Sequence, residues 1–290
     1  KLRSVLSKYL GAPAERIVAG NGSDELIDLL LRMFLGPGEN IIIPSPTFGM
    51  YSFTADICGG EAVSVPSDEN FEIDVEAMVV AMTDKTKAVF LASPNNPSGN
   101  IASSSQIRAL LETGRLIVVD ETYYEFCGQS VMPLMEEYPN LVILRTFSKW
   151  AGLAGLRIGL GVMQEEIAQT MISMKPPYNV NTAAEVALTA SLEDTSVLLD
   201  RVKAIVAERE RMMGLLQKIG GKRIAAPPVG ATNQTDLDLF AAAKRYHKLL
   251  ELGREMGVTP QVELWGFSKS LSRLGELMFV AVESGHPDAC

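Results

Sequence analysis

Cysteine, histidine and positive charge are all scarce in this chain. Its three cysteines, Cys58, Cys127 and Cys290, show no paired spacing, and there are two histidines. A disulfide framework and a His-rich zinc site are therefore not expected, no metal ligand is assigned, and a reducing compartment, the cytoplasm, is the expected setting. Lysine and arginine number 26 against 35 aspartates and glutamates, a net charge of −9. That balance excludes the basic footprint of a nucleic-acid binder while leaving room for a local anion site. Every apolar run falls short of the roughly 18 residues that would span a bilayer, and no secretory leader opens the sequence. Neither a membrane nor a nucleic acid is expected as partner. What remains is ordinary for a folded protein: 290 residues, 47% hydrophobic and 21% charged, enough for one or two domains. The chain opens at Lys1 in mid-pattern and stops at Cys290 directly after GHPDA, with no capping or turn signal at either end.

Short apolar runs alternate with amphipathic stretches. Ile41–Ile43, Ala62–Val65, Ala88–Ala92, Leu116–Asp120, Leu141–Arg145 and Ile158–Met163 are continuously apolar and bounded by Gly, Pro or Asn, as strands covered on both faces should be. Helical patterns run over Asp24–Phe34, Val75–Met82, Ser103–Glu112 and Glu165–Ser173. This alternation predicts an α/β domain, a mostly parallel sheet flanked by helices in three layers. From Thr182 to about Lys218 the pattern becomes long and helical, most clearly over ERERMMGLLQK. No repeat appears at a period of roughly 20–50 residues, so a solenoid is not expected. Composition shifts at Gly220–Gly221 and again over AAPPVGATNQT, which predicts a domain over 1–225, a linker over 226–235 and a small α/β segment over 236–290. That last segment reads as a helix (Asp238–Met256), a strand (Gln261–Trp265) and a helix (Lys269–Val282).

Polar residues cluster just after the apolar strands, at the sheet edge where ligands bind in open α/β folds. Asp120 closes LIVVD, Asn96 follows AVFLASPN, Lys149 follows LVILRTFS, and Arg157 comes soon after it in KWAGLAGLR. An acid, an amide, a lysine and an arginine on one edge could hold an aromatic cofactor that carries a phosphate. Each also has a plainer reading. Asp120 could cap the next helix, and Lys149 and Arg157 could be surface cations. NNPSG supplies the backbone angles of a turn. GSDEL could be a helix start capped by Ser23 or Asp24, with acids in its first turn.

Taken in order, GNGSDELI, PTFGMY, SPNNPSG, VVDETYYEF and TFSKWAGLAGLRIG resemble the signature segments of fold-type I pyridoxal-phosphate aminotransferases, in their histidinol-phosphate branch, over roughly residues 1–225. The resemblance implies pyridoxal 5′-phosphate as cofactor and a role for each residue. Lys149 would link to the cofactor aldehyde and carry a proton between the substrate α-carbon and C4′, a task that needs a neutral amine. Asp120 would face the pyridine nitrogen and keep it protonated, so that the ring can accept electrons. Asn96 and Tyr123, in preference to Tyr124, would hydrogen-bond the 3′ oxygen, and Phe48 would stack on the ring. Ser148, Arg157 and the backbone amides of Gly22, Ser23 and Asp24 would hold the phosphate, with the amide of Asp24 and not its carboxylate facing it. The implied reaction moves an amino group between histidinol phosphate or an aromatic amino acid and 2-oxoglutarate, and the implied assembly is a homodimer. Two other readings fit the same residues: an amino-acid phosphate decarboxylase on this scaffold, and a truncated or chimeric chain that binds the cofactor without turnover.

The sequence departs from that family at both ends. It opens at KLRSVLSKYLG, inside the helix that usually follows an Asn-rich segment. No LR-type motif for the substrate carboxylate appears after residue 225; the nearest arginines, Arg245 and Arg273, stand in other helical contexts. From about Asp236 to Cys290 the chain is similar instead to part of a sugar-phosphate isomerase or epimerase barrel, where the glutamate of VELWG, Glu263, would be a metal ligand. One carboxylate does not make a divalent-metal site, and three elements do not close a barrel. A packing role is expected for this segment and for His247 and His286 within it.

Overall fold

The computed structural model of the chain describes residues 2–68, 70–218, 223–226, 237–256, 259–263 and 269–289. The chain divides into two units, Lys1–Val206 and Ala207–Cys290. The linker expected over 226–235 lies, apart from Ala226, outside the described residues.

In the first unit the elements run α1 (Leu2–Leu10), β1 (Ile17–Gly20), α2 (Ser23–Phe34), β2 (Asn40–Ser45), α3 (Met50–Ile57), β3 (Glu61–Pro66), α4 (Val75–Ala81) and β4 (Thr86–Ala92). They continue with α5 (Ser104–Leu111), β5 (Leu116–Asp120), α6 (Tyr124–Cys127), β6 (Leu141–Thr146), β7 (Gly159–Val162), α7 (Glu165–Met174), α8 (Thr182–Glu193) and α9 (Ser196–Lys218), within which the division falls. Among the described residues seven strands form one sheet in the order β1-β7-β6-β5-β4-β2-β3. The neighbours from β6 to β3 are parallel, and β7 runs antiparallel to both β6 and β1. The mostly parallel, helix-flanked sheet expected from the apolar runs is therefore present. β5 and β6 are buried at every position, which is why they read as unbroken apolar runs and not as alternating ones.

Alternation of side chains across the pleat then sorts the sheet into two faces. Val89, Leu91, Ile117, Val119 and Ile143 join a core with Leu6 and Leu10 of α1 and Ile107 and Leu110 of α5. Ala88, Phe90, Leu116, Val118, Val142 and Leu144 join a second core with Leu26 and Leu30 of α2, Tyr51 of α3 and Met171 of α7. The same parity governs the polar residues at the strand ends. Asp120 continues the Leu116–Val118 face towards Tyr51, whereas Glu121 and Arg145 point the other way and meet there. Arg145 Nη2 and Nε donate to Glu121 Oε2 at 2.7 and 3.0 Å, with 6% and 1% of the two side chains exposed. Ser130 Oγ and the Val131 N–H also donate to Glu121, each at 2.8 Å, and the guanidinium lies 3.7 Å from the ring centre of Tyr124.

The sequence expectation lacks the division of the stretch from Thr182 and the elements β1, α3 and α6. The helical stretch expected from Thr182 to about Lys218 is present as α8 and α9, divided where Asp194 Oδ1 accepts the Ser196 N–H at 2.9 Å and restarts the chain. β1 is only four residues long between a turn and Gly20, and α3 has a weak apolar pattern.

The second unit holds β8 (Arg223–Ala226), α10 (Leu239–Met256), β9 (Thr259–Val262) and α11 (Leu274–Glu283). The expected helix–strand–helix thus gains β8, which pairs in parallel with β9; parallel partners need a crossover, and α10 lies between them in the chain. The strand expected over Gln261–Trp265 begins at Thr259, and its residues from 264 on lie outside the described ones. The last helix begins at Leu274, not Lys269. Ala243, Tyr246, Leu250, Leu271 and Val280 form this unit's core. His286 sits edge-on to His247 at 5.2 Å, and His247 Nδ1 lies 2.6 Å from the Ser284 carbonyl. Glu263 follows β9 and is exposed. Among the described residues no three His, Cys, Asp or Glu are grouped to hold a metal, and no helix is long and apolar enough to cross a membrane.

Removing one member of a buried, hydrogen-bonded ion pair leaves the other charge uncompensated. Glu121→Ala should lower the unfolding free energy by about 3–5 kcal/mol, read from urea denaturation. A loss below about 1 kcal/mol, the range of exposed pairs, would contradict this weight.

Candidate active site

The carboxyl-terminal ends of β4, β5 and β6 open onto one cleft. Ser23, Asp24, Phe48, Asn96, Asp120, Tyr123, Ser148, Lys149 and Arg157 all line it, together with Ala92, Thr122 and Thr146. The pleat accounts for three of these: Ala92, Asp120 and Thr146 lie on the same face as Phe90, Val118 and Leu144, so each strand delivers one side chain to the floor.

Asp120 is buried and fully engaged. Its Oδ1 accepts the Thr122 N–H at 3.0 Å and the Thr122 hydroxyl at 2.6 Å, and its Oδ2 accepts the Tyr51 hydroxyl at 3.0 Å. Burial pushes the carboxyl above its usual range, and the hydrogen bonds from Thr122 and Tyr51 pull it back. Tyr51 is fully buried, and desolvation, then the charge of Asp120, hold its phenol well above the usual value, so it stays a donor. Phe48 meets Tyr51 edge-on at 5.6 Å.

The NNPSG turn divides two tasks between its asparagines. Asn95 is the scaffold: its Nδ2 donates to the Pro46 carbonyl and to Ser98 Oγ at 2.9 Å, and its Oδ1 accepts from Thr47 at 2.8 Å. Asn96 is left exposed at the cleft. Lys149 is placed by its neighbours. Phe147 and Trp150 are buried in the core, with Trp150 stacked on Tyr9 at 5.8 Å, and the exposed lysine between them projects to within 6.0 Å of the Tyr123 ring centre. Tyr124 does not line the cleft but lies under Arg145.

At the other end stands the start of α2. The capping position is Gly22, at φ 84°, with no side-chain cap, where Ser23 or Asp24 was expected. Ser23 is already helical, and Glu25 reaches back instead to the Asn21 N–H at 2.6 Å. The first amides of α2 are thus left without a side-chain acceptor, the usual basis of an anion site. A Cβ at Gly159 would lie 2.5 Å from the Ser23 amide, an approach that only glycine permits, and one at Gly22, on a left-handed backbone, would crowd Arg157 Nη2. Arg157 itself has a left-handed backbone, φ 54°, and its Nη2 donates to the Asp24 carboxylate at 2.9 Å. A strained non-glycine residue at a cleft is a frequent mark of function.

Residues 1–251 match the family model for aminotransferase class I and II. The chain belongs to the aminotransferase class I and II family. The match runs past residue 225, where the motif resemblance ends, and into α10. Among its curated relatives, histidinol-phosphate aminotransferase of Dehalococcoides mccartyi (strain CBDB1) is 48% identical over 220 residues, 76% of this chain and 62% of that protein. The enzyme of the same name from Roseiflexus castenholzii is 50% identical over 222 residues, 76% of this chain and 60% of that protein. This aminotransferase-family chain therefore spans about three fifths of the length of those relatives. A solved structure, histidinol-phosphate aminotransferase from Clostridium acetobutylicum, aligns with TM-score 0.69 at 31% identity, covering 75% of this chain and 66% of that one.

Thr122, Thr146 and Tyr51 were not singled out in the sequence. A signal existed for Thr122, since an aspartate two residues before a threonine is the pattern of an Asx-turn. Arg245, on α10, and Arg273, just before α11, lie in the second unit. Glu125 was missed as well. Its Oε1 accepts the Tyr9 hydroxyl at 2.7 Å, its Oε2 is buried with no hydrogen-bond partner among the described residues, and burial pushes its carboxyl up from 4.5 to about 7.

Between those two values the folded chain holds a proton that the unfolded chain has released, so Glu125 costs stability as pH rises through that window. Glu125→Gln should therefore gain on the parent by about 3 kcal/mol between about pH 5 and 8, measured by urea unfolding at both. The same difference at both pH values would contradict the assignment.

Proposed function

We propose that this chain is the cofactor-binding part of a pyridoxal 5′-phosphate-dependent aminotransferase, exchanging an amino group between histidinol phosphate or an aromatic amino acid and 2-oxoglutarate. The observation that carries the reading is the convergence of Lys149, Asp120, Asn96 and Arg157 in one cleft beside the uncapped start of α2. The donor set suits the cofactor group by group. A buried carboxylate matches a pyridine nitrogen, an amide and a phenol match the 3′ oxygen, and a guanidinium, a hydroxyl and helix amides match a phosphate. Without a side chain at Gly22, the Arg157 guanidinium can stand beside the start of α2, which puts a cation next to the helix amides.

When bound, pyridoxal phosphate supplies an aldehyde that links to amines and a protonated ring that accepts the electrons released at the substrate α-carbon. Lys149 would hold the cofactor through its amine and, once the substrate amine has displaced it, would be free and neutral to carry the proton between the substrate α-carbon and C4′. Asp120 keeps the ring nitrogen protonated, Asn96 and Tyr123 donate to the 3′ oxygen, and Phe48 covers one ring face. Ser148, Arg157 and the amides of Gly22, Ser23 and Asp24 anchor the phosphate, Arg157 through the bidentate fork that suits such oxyanions. The Asp24 carboxylate, turned onto Arg157, fixes the guanidinium from the side. A second copy of the chain as partner, and the cytoplasm as setting, belong to the same proposal; the free thiols of Cys58 and Cys127 are in keeping with a reducing compartment.

Glutamate formed from histidinol phosphate and 2-oxoglutarate by the cofactor-loaded chain tests the reaction. It should fall by about 10^3-fold or more in Lys149→Ala. Carbon dioxide released from threonine phosphate, with no glutamate formed, would point to a decarboxylase on the same scaffold.

A further inference from the structure

A carboxylate offers four lone-pair positions, and three of those on Asp120 are already taken. Oδ1 receives both the Thr122 N–H and the Thr122 hydroxyl, and Oδ2 receives the Tyr51 hydroxyl. One position is left, on Oδ2, and Asp120 lines the cleft. We propose that Tyr51 and Thr122 are positioning residues that keep Asp120 ionised and reserve the remaining lone pair of Oδ2 for a ring N–H of the bound cofactor. The inference rests on the cofactor reading above and adds to it the two groups that make the buried aspartate usable.

The environment of Asp120 shows why they are needed. Burial disfavours its charge, and Asp24, from α2, adds a like charge. Lys149, Arg157 and Tyr123 also line the cleft, from the β6–β7 connection and from the segment after β5, but none of them hydrogen-bonds the carboxylate. The donors that favour the ionised form are therefore those of Tyr51 and Thr122. Both serve only as donors here. Tyr51 is fully buried beneath the carboxylate and keeps its proton. Thr122 is clamped by a two-residue turn, which fixes the plane of the carboxylate as well as its charge.

The test loads the full chain with pyridoxal 5′-phosphate labelled with 15N in the ring and follows three proteins. In the parent, the ring nitrogen resonates at the protonated position through neutral pH. In Tyr51→Phe and Thr122→Val, which keep the ring and the branched shape, the carboxyl should take more of the proton that it shares with the ring, so the neutral-pH resonance should move towards the unprotonated position, and the cofactor dissociation constant should rise about tenfold. Thr122→Ser, which restores the hydroxyl, should return both values to those of the parent. Variants whose nitrogen resonates like the parent's, with unchanged dissociation constants, overturn the inference alone. A parent chain that binds no cofactor overturns the cofactor reading and the inference with it.

Discussion

Two acids stand side by side at the end of β5, both almost wholly out of water, and the first unit is arranged around that burden. Adjacent residues of a strand face opposite sides of the sheet, so Asp120 and Glu121 need separate partners. Glu121 finds Arg145, Ser130 and the Val131 amide on one side. Asp120 finds Tyr51 and Thr122 on the other. The first pairing ties the end of β5 to the end of β6, the two strands whose following segments carry Tyr123 and Ser148–Lys149. An ion pair this deeply buried is a poor source of net stability, but removing either partner leaves the other charge buried and uncompensated at the base of the segments that frame the cleft.

The same economy of placement appears on the cation side. Lys149 needs no partner to be aimed, because Phe147 and Trp150 flank it in the chain and are both sunk into the core. Arg157 is aimed by a left-handed backbone, by the Asp24 carboxylate and by a glycine that gives it room. Rigid elements thus hold each polar group from behind, and the groups themselves remain open towards the cleft. Under the proposed function, this is the preorganisation that binding an anionic, planar ligand without rearrangement calls for.

Much of this was legible in the sequence, and the exceptions have physical causes. The parallel strands were visible because a strand covered on both faces must be apolar throughout, as LIVVD and LVILRT are. Asp120 was visible because it closes an apolar run, and Asn96, Lys149 and Arg157 because they stand in motifs that follow such runs and resemble one family when taken together. β1 and β8 escaped notice because four residues give no period to count. The helical character from Thr182 on was legible, but not the break within it, which depends on a single hydrogen bond from Ser196 to Asp194. Tyr51 and Arg145 carry no local sign of their roles; their partners, Asp120 and Glu121, lie 69 and 24 residues away and meet them only through the register of the sheet. Composition and motif gave no account of the second unit's function, and its small core explains only how it folds.

The central claim is that Lys149 is the amine at the heart of an anionic-cofactor cleft. Treating the chain with pyridoxal 5′-phosphate, reducing the adduct with borohydride and sequencing the peptides by mass spectrometry tests it directly. The account expects the phosphopyridoxyl group on Lys149 at one per chain, with the other lysines unmodified. Label on a different lysine, or spread over many, would contradict it.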